Sequence, residues 1–321
     1  DGIVRLDDAV QRAVALNMPA LGLSDLMNVF GIVKFYKACR QAGIKPIVSC
    51  DVWVENTDDR DKPSRLLLMA KNHAGYLRLC QLLTDAYTLN QYRGRAELKW
   101  PWLRDGDNRD LIALSGAHLG DIGIALAHGQ RDEALRRAHD WAQCFPDAFY
   151  LEIQRVDNPQ VESVVQQTLW LANETQLPVV ATHPIQFMEP DDFKAHEARV
   201  CIAEGYTLAD KRRPRLFDAC QSFLSIDAMV QRFHDIPEAL ANSVALAERC
   251  SLTIPLNQSY LPHFPTPDHL SLDAYLVIRA QEGLAQRLNT LYPDAAERAQ
   301  QQARYQERLT FETDTIIQMG F

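Results

Sequence analysis

A chain of 321 residues with 47% hydrophobic content is long enough for one large core plus an appendage, and a formal net charge of −9 argues against broad, nonspecific attraction to nucleic acid. Any DNA contact is expected to be local or carried by other sequence. Seven scattered cysteines with no C-x-x-C pair read as reduced, packed thiols, and neither a membrane-length apolar run nor a signal peptide is visible, so a soluble cytoplasmic protein without membrane contact is expected.

Asp7 and Asp8 open an apolar series, Val10, Val14 and Leu16, that predicts a helix ended by Pro19. Residues 20–23 read as a short buried strand. Residues 29–42 have helical spacing closed by Gly43, and 44–54 form the second strand region. A polar loop, 56–64, leads to an apolar run at 66–70 and a helix over 74–89. The segment 93–102 is a loop with aromatics that periodicity does not assign. Strands at 111–114, 148–153 and 178–181 then alternate with helical patterns at 121–127, 132–144, 160–174 and 190–204.

This alternation predicts an α/β fold with a parallel sheet and right-handed crossovers, either a closed barrel or an open doubly wound sheet. Two observations favour the barrel. No Gly-rich phosphate loop follows the first strand, and polar residues sit just past the ends of apolar runs: Asp25, Asp51, Ser115 and His183. Beyond 204 the rhythm stops. Helical patterns at 227–234 and 237–250 precede a linker-like stretch with Pro255, Pro262, Pro265 and Pro267, and two more helical patterns, 271–288 and 293–319, follow. The boundary is placed near Leu261, giving a domain over 1–260 and a helical segment over 261–321. The chain opens without methionine and closes on Met319-Gly320-Phe321 after a long helical pattern, which reads as a piece of something larger.

The candidate chemistry is sparse. Asp1, Asp25 and Asp51 converging over a barrel mouth would suit divalent cations, yet acids at strand-to-helix turns are capping residues by default. His183 is a candidate ligand or general base, with a packed histidine as the plainer reading. His196 and Glu197 match no metal spacing. The basic run Lys211, Arg212, Arg213 and Arg215 is a candidate phosphate contact, or else a solvated face or partner for acids. Nucleophile elbows, Walker loops and Cys/His pairs are absent from the sequence.

The stretch PALGLSDLMNVFGIVKFYKACRQAGIKPIVSCDVWV (19–54), with RLLLMAKNHAGYLRL (65–79), LIALSGAHLGDIG (111–123), PVVATHPIQFMEPDDFKAHEARVCIA (178–203) and FHDIPEALANSVALAERC (233–250), closely resembles the amino-terminal part of bacterial replicative DNA polymerase III alpha subunits. The resemblance covers essentially the whole chain in order. It implies a polymerase-and-histidinol-phosphatase (PHP) domain, a distorted seven-stranded (β/α) barrel whose first strand would precede Asp1, followed by a small, mainly helical segment entering the polymerase palm. The palm's catalytic aspartates lie later in the family, so no catalytic residue is expected in this chain.

Carried over residue by residue, the PHP motifs have lost most metal ligands. Asp1 matches the closing aspartate of the first motif. Ser24-Asp25-Leu26-Met27-Asn28 keeps the acid of the second and replaces its histidine with Leu26. Asp51 stands for a glutamate, Arg65 for a histidine, Ala117 for a cysteine, and His183-Pro184-Ile185-Gln186 for a motif that loses both its aspartate and its histidine at Pro184 and Gln186. Leucine and alanine cannot ligate, and Arg65 brings a fixed positive charge to the site. The expectation is a degenerate pocket with no metal or other cofactor of its own, the cations replaced by a salt-bridge network. Mg2+ would serve the parent polymerase. The implied role is a scaffold in a DNA-synthesising enzyme, docking the proofreading exonuclease subunit, with DNA and other replisome subunits met through the rest of the parent protein. The alternative is a metal-dependent PHP phosphoesterase, 3′–5′ exonuclease or pyrophosphatase using Asp25, Asp51 and His183.

Overall fold

The computed structural model describes residues 2–256, 258, 262 and 264–320. The chain divides into two compact units, Asp1–Ile254 and Pro255–Phe321. Leu261, where the sequence suggests a boundary, lies outside the described residues.

The first unit begins with α1 (Leu6–Ala15), β1 (Ala20–Leu26), α2 (Ile32–Ala42), β2 (Lys45–Val54), β3 (Ser64–Ala70) and α3 (His73–Leu89). A hairpin of β4 (Gln91–Tyr92) and β5 (Arg95–Ala96) leads to α4 (Trp100–Arg104), β6 (Leu111–Leu114), α5 (Asp121–Ala127), α6 (Arg131–Cys144) and β7 (Phe149–Ile153). Then come α7 (Pro159–Thr175), β8 (Val179–Ala181), α8 (Phe193–Glu204), α9 (Ile226–Arg232) and α10 (Pro237–Arg249).

Six strands, in the order β1-β2-β3-β6-β7-β8, form a sheet curled into a half-barrel. The α/β barrel class expected from the sequence is the one observed, with six strands paired among the described residues where seven were expected. The sheet is mixed, which corrects the all-parallel expectation. β1·β2, β6·β7 and β7·β8 run parallel, but β3 is antiparallel to both β2 and β6. The cause is the connection. Only the loop 55–63 joins β2 to β3, and a parallel return needs a crossover of roughly a dozen residues or more.

One further boundary differs from the sequence reading: β1 extends through Leu26, so Asp25 lies within the strand rather than past its end. β2 ends at Val54 as expected, and Asp51 lies inside it. The unassigned stretch after α3 contains the β4–β5 hairpin. Its turn residues Arg93 and Gly94 both have positive φ, 50° and 80°, the geometry that matches strand twist in a tight hairpin.

Local chemistry sets several element ends. Gly43, at φ 76°, closes α2 in the left-handed conformation. At the start of α3 the Asn72 side chain accepts a hydrogen bond from the Gly75 amide at 3.1 Å and donates to Asp110 at 2.6 Å. Gly75 is required there for packing: a Cβ on it would stand 2.1 Å from the Asp110 carbonyl oxygen. Leu79, Leu82, Leu83 and Ala86 bury one helical stripe of α3 in the main core. Trp141 of α6 is buried in the same core, edge-on to Trp100 at 4.4 Å, and its indole N–H donates to Asp121 at 3.0 Å. Beside the outer strand β8, the Asn242 amide of α10 donates to the Val179 carbonyl at 2.8 Å, which occupies a backbone group the sheet edge leaves open.

The second unit contains α11 (Leu272–Leu291) and α12 (Ala295–Met319), capped by Ser271 and Asp294. The two helices pack together, with the Tyr292 and Tyr305 hydroxyls 3.2 Å apart and Arg298 donating to the Tyr292 carbonyl at 2.7 Å.

Candidate functional site

Strand alternation decides which side chains share a face. Asp51 pairs with Leu67 and Trp53 with Arg65 across β2 and β3, and the register continues through Leu114, Tyr150, Glu152 and Val180. On β3 the neighbours on the opposite face, Leu66, Leu68 and Ala70, are fully buried, whereas Arg65, Leu67 and Met69 are half-buried. At β3, then, the face of Asp51, Arg65 and Leu67 is the more open one, and the charged groups of the unit's centre lie on that face as it continues to Glu152.

Arg65 forms an ion pair and hydrogen bond with Asp51 through Nη1 and Oδ2, and its guanidinium lies 4.0 Å over the Trp53 ring. Burial pushes the Asp51 carboxyl above its ordinary value, while the Arg65 charge and hydrogen bond pull the other way. Arg95 reaches the same indole at 5.6 Å and pairs with Glu97 at 2.7 Å. Glu97 is completely buried and also receives Arg60 at 2.8 Å, so a second charge cluster adjoins the first.

Glu152 completes the face. It is 3% exposed, its Oε1 accepts from the Thr182 hydroxyl and from Gln154 at 3.1 Å, and its amide donates to Ser115 Oγ at 2.9 Å. No cation pairs with it among the described residues. Burial above all, with the Asp51 charge adding, pushes its carboxyl up to about 7. The sequence places this residue mid-strand and does not single it out as a site residue. Its one visible signal was a lone acid inside a run otherwise of apolar and aromatic residues, 148–153.

The other sequence candidates are dispersed. Asp25 is aligned with Cys50 and Leu26 with Asp51, so alternation directs Asp25 away from the Asp51 face, and its Oδ2 lies instead toward Gly31 at the start of α2. Leu26 shares the face of Asp51 as an apolar contact of the core. Asp1 lies outside the described residues. Ala117 is buried at φ 48° in the 3-10 turn Ala117–Leu119.

His183 shares a 3.0 Å hydrogen bond through Nε2 with the Ser222 carbonyl, and because a carbonyl only accepts, Nε2 carries the proton. Its Nδ1 is buried without a partner, and burial and the Arg232 charge push the imidazole down to about 4. Pro184 and Gln186 use their backbone: the Pro184 carbonyl receives Gln221 at 3.3 Å, and the Gln186 carbonyl receives the Ile3 amide at 2.7 Å. In the basic run, Arg212 pairs with Asp210 at 2.8 Å and Arg213 with Glu197 at 2.7 Å, while Lys211 and Arg215 are exposed.

A cavity of about 430 Å³ lies away from this face, lined by Arg40, Lys45, Ser251 and Thr253 among others. It has the cations of an anion site, but the Lys45 ammonium is occupied by the Ala247 carbonyl at 2.7 Å at the C-terminal end of α10. A lysine on the last carbonyls of a helix is accounted for as a cap.

Among the described residues no three His, Cys, Asp or Glu side chains stand where they could share a metal ion. The donor set on this face does not fit a divalent cluster: Leu26 brings no donor, and the Arg65 guanidinium fills the position beside Asp51.

A family model described as the PHP domain matches residues 1–156. The whole chain aligns with proteins named DNA polymerase III subunit alpha: 55% identical in Neisseria meningitidis serogroup A, covering 28% of that protein, 41% in Escherichia coli K12, also 28%, and 39% in Pseudomonas aeruginosa, 27%. The chain thus spans little more than a quarter of the length of the curated relatives it matches. A Bifidobacterium adolescentis structure described as a metal-dependent phosphoesterase is similar with a TM-score of 0.29 and 10% identity, over 56% of this chain and 82% of that one. That likeness is too loose to carry a conclusion.

Proposed function

Because the chain belongs to the DNA polymerase III subunit alpha family, we propose that it is the PHP-bearing part of a template-directed DNA polymerase and serves there as a brace and as the docking platform for the proofreading exonuclease subunit. Nucleotidyl transfer, its Mg2+ and most contacts with DNA and other replisome subunits are assigned to the remainder of the parent protein. The observation that carries this reading is the Asp51–Arg65 pair. Where a hydrolytic PHP site would gather cations, a guanidinium neutralises the acid and is held by the Trp53 ring.

The competing reading, a metal-dependent phosphoesterase, 3′–5′ exonuclease or pyrophosphatase, would need Asp25, Asp51 and His183 to act together. Asp25 is directed to the other face, and the depressed basicity of His183 makes it a poor proton acceptor at neutral pH. Co-purification of the 321-residue chain with the exonuclease subunit of its own replicase tests the proposal. The expected result is a 1:1 complex that survives gel filtration. Two separate peaks at micromolar concentrations would count decisively against a docking role for this part of the protein.

A further inference from the structure

We propose that α8 and the loop after it, residues 193–217, are the surface on which the partner docks, through a segment that is acidic and apolar; this rests on the docking role proposed above and gives it a place. α8 is apolar on both of its sides. Its inner stripe buries His196 and Cys201, and the His196 ring stands edge-on to Phe217 at 4.7 Å. The opposite stripe, Ala195, Ala198, Arg199 and Ile202, recurs at i, i+3, i+4 and i+7, and Ile202 is 83% exposed. A helix with only one covered side carries polar residues on the other, so an apolar outer stripe suits a helix that is covered on both.

The loop 205–217 is pinned against this helix. Gly205 ends α8 in the left-handed conformation at φ 72°, and the Tyr206 amide donates back to the Cys201 carbonyl at 2.8 Å. Farther on, Arg213 pairs with Glu197 at 2.7 Å and donates through Nε to the Leu208 carbonyl at 3.3 Å, and Phe217 rests on His196. Helix and loop thus form one ledge, which also presents the exposed side chains of Leu208 and Leu216. One exposed aliphatic residue is ordinary on any surface, whereas three on a single pinned ledge mark an interaction site. Because the ledge is already held in shape, a partner meets it without the cost of ordering it.

Charge decides the chemistry of the partner. Over residues 193–217 six Lys and Arg stand against three Asp and Glu, in a chain whose net charge is −9. Arg213 is engaged by Glu197 and Arg212 by Asp210, while Lys211 and Arg215 are exposed and make no ion pair among the described residues. A basic ledge with aliphatic side chains is complementary to a segment in which acids alternate with apolar residues. Nucleic acid would use the cations alone, since Ile202, Leu208 and Leu216 offer bases no aromatic platform to stack on.

Titration of the 321-residue chain with the labelled exonuclease subunit of its own replicase tests the placement. Wild type is compared with Ile202→Asp, with the double variant Lys211→Glu/Arg215→Glu, and with Val244→Asp, a control at an exposed position on α10. Ile202→Asp and the double variant are each expected to raise Kd about tenfold or more, the double variant also flattening the salt dependence, and the control to bind as wild type does. Far-UV circular dichroism and the thermal midpoint identify any variant that fails to fold, and the other variant then decides. Wild-type binding that neither variant weakens overturns the placement and leaves the docking role standing; a wild type that does not bind overturns both. A single-stranded oligonucleotide bound by wild type and lost in the double variant, with exonuclease binding unchanged, would assign the ledge to nucleic acid and overturn the proposal as well.

Discussion

Arg65 is held by charge through Asp51 and by an aromatic face through Trp53, and the two contacts ask different things of the side chain. The ion pair needs a cation, whereas the stack needs a planar one. Arg65→Lys is therefore expected to keep part of the stability and Arg65→Ala to lose about 2 kcal/mol, because Asp51 would remain half-buried without its partner. Urea denaturation of the three proteins checks the order, and equal stability of the Ala variant and wild type would remove Arg65 from the account of the fold. Glu152 shows where sequence reasoning at this scale stops. An acid inside a strand looks like any solvent-facing residue until the curl of the sheet closes over it, and that curl is a property of strands far apart in the chain.

At the scale of elements, much was legible because the signals are local. The α2 helix with its Gly43 cap, the 111–114 strand and the α6 and α7 helices follow from apolar spacing and end chemistry. The reversed direction of β3 is harder to see, because alternation of strands with helices suggests parallel crossovers, and only the absence of a helix between β2 and β3 signals the reversal. The hairpin was missed for a related reason: strands of two residues, 91–92 and 95–96, have no measurable period. Gly75 offers a test of element docking. On propensity alone Gly75→Ala would stabilise α3 by up to about 1 kcal/mol. The added Cβ would instead meet the Asp110 carbonyl at 2.1 Å, and we expect a net loss of about 2 kcal/mol as the start of α3 is pushed from the loop before β6. Native-state hydrogen exchange at Leu79 and Leu82 reads the effect, and unchanged or slower exchange would mean that this loop yields freely.

For the whole first unit, the contrast is between a fold that gathers side chains from distant segments and a face whose central acid is paired with an arginine. A half-barrel brings residues in and just beyond the strands of five segments of the chain together. Here the segments deliver Asp51, Arg65, Ser115, Glu152 and Thr182, a set whose charges and hydrogen bonds are largely satisfied within itself. A divalent ion beside Asp51 would have to displace the Arg65 guanidinium, against the cost of leaving that partly buried cation without its carboxylate. Equilibrium dialysis of the chain against Mn2+ at pH 7 is therefore expected to show no stoichiometric retention. One ion bound per chain and released by Asp51→Asn would reverse that conclusion, because it would place a cation where the ion pair stands. Weak retention unaffected by Asp51→Asn would assign the ion to the acidic surface of a chain with net charge −9.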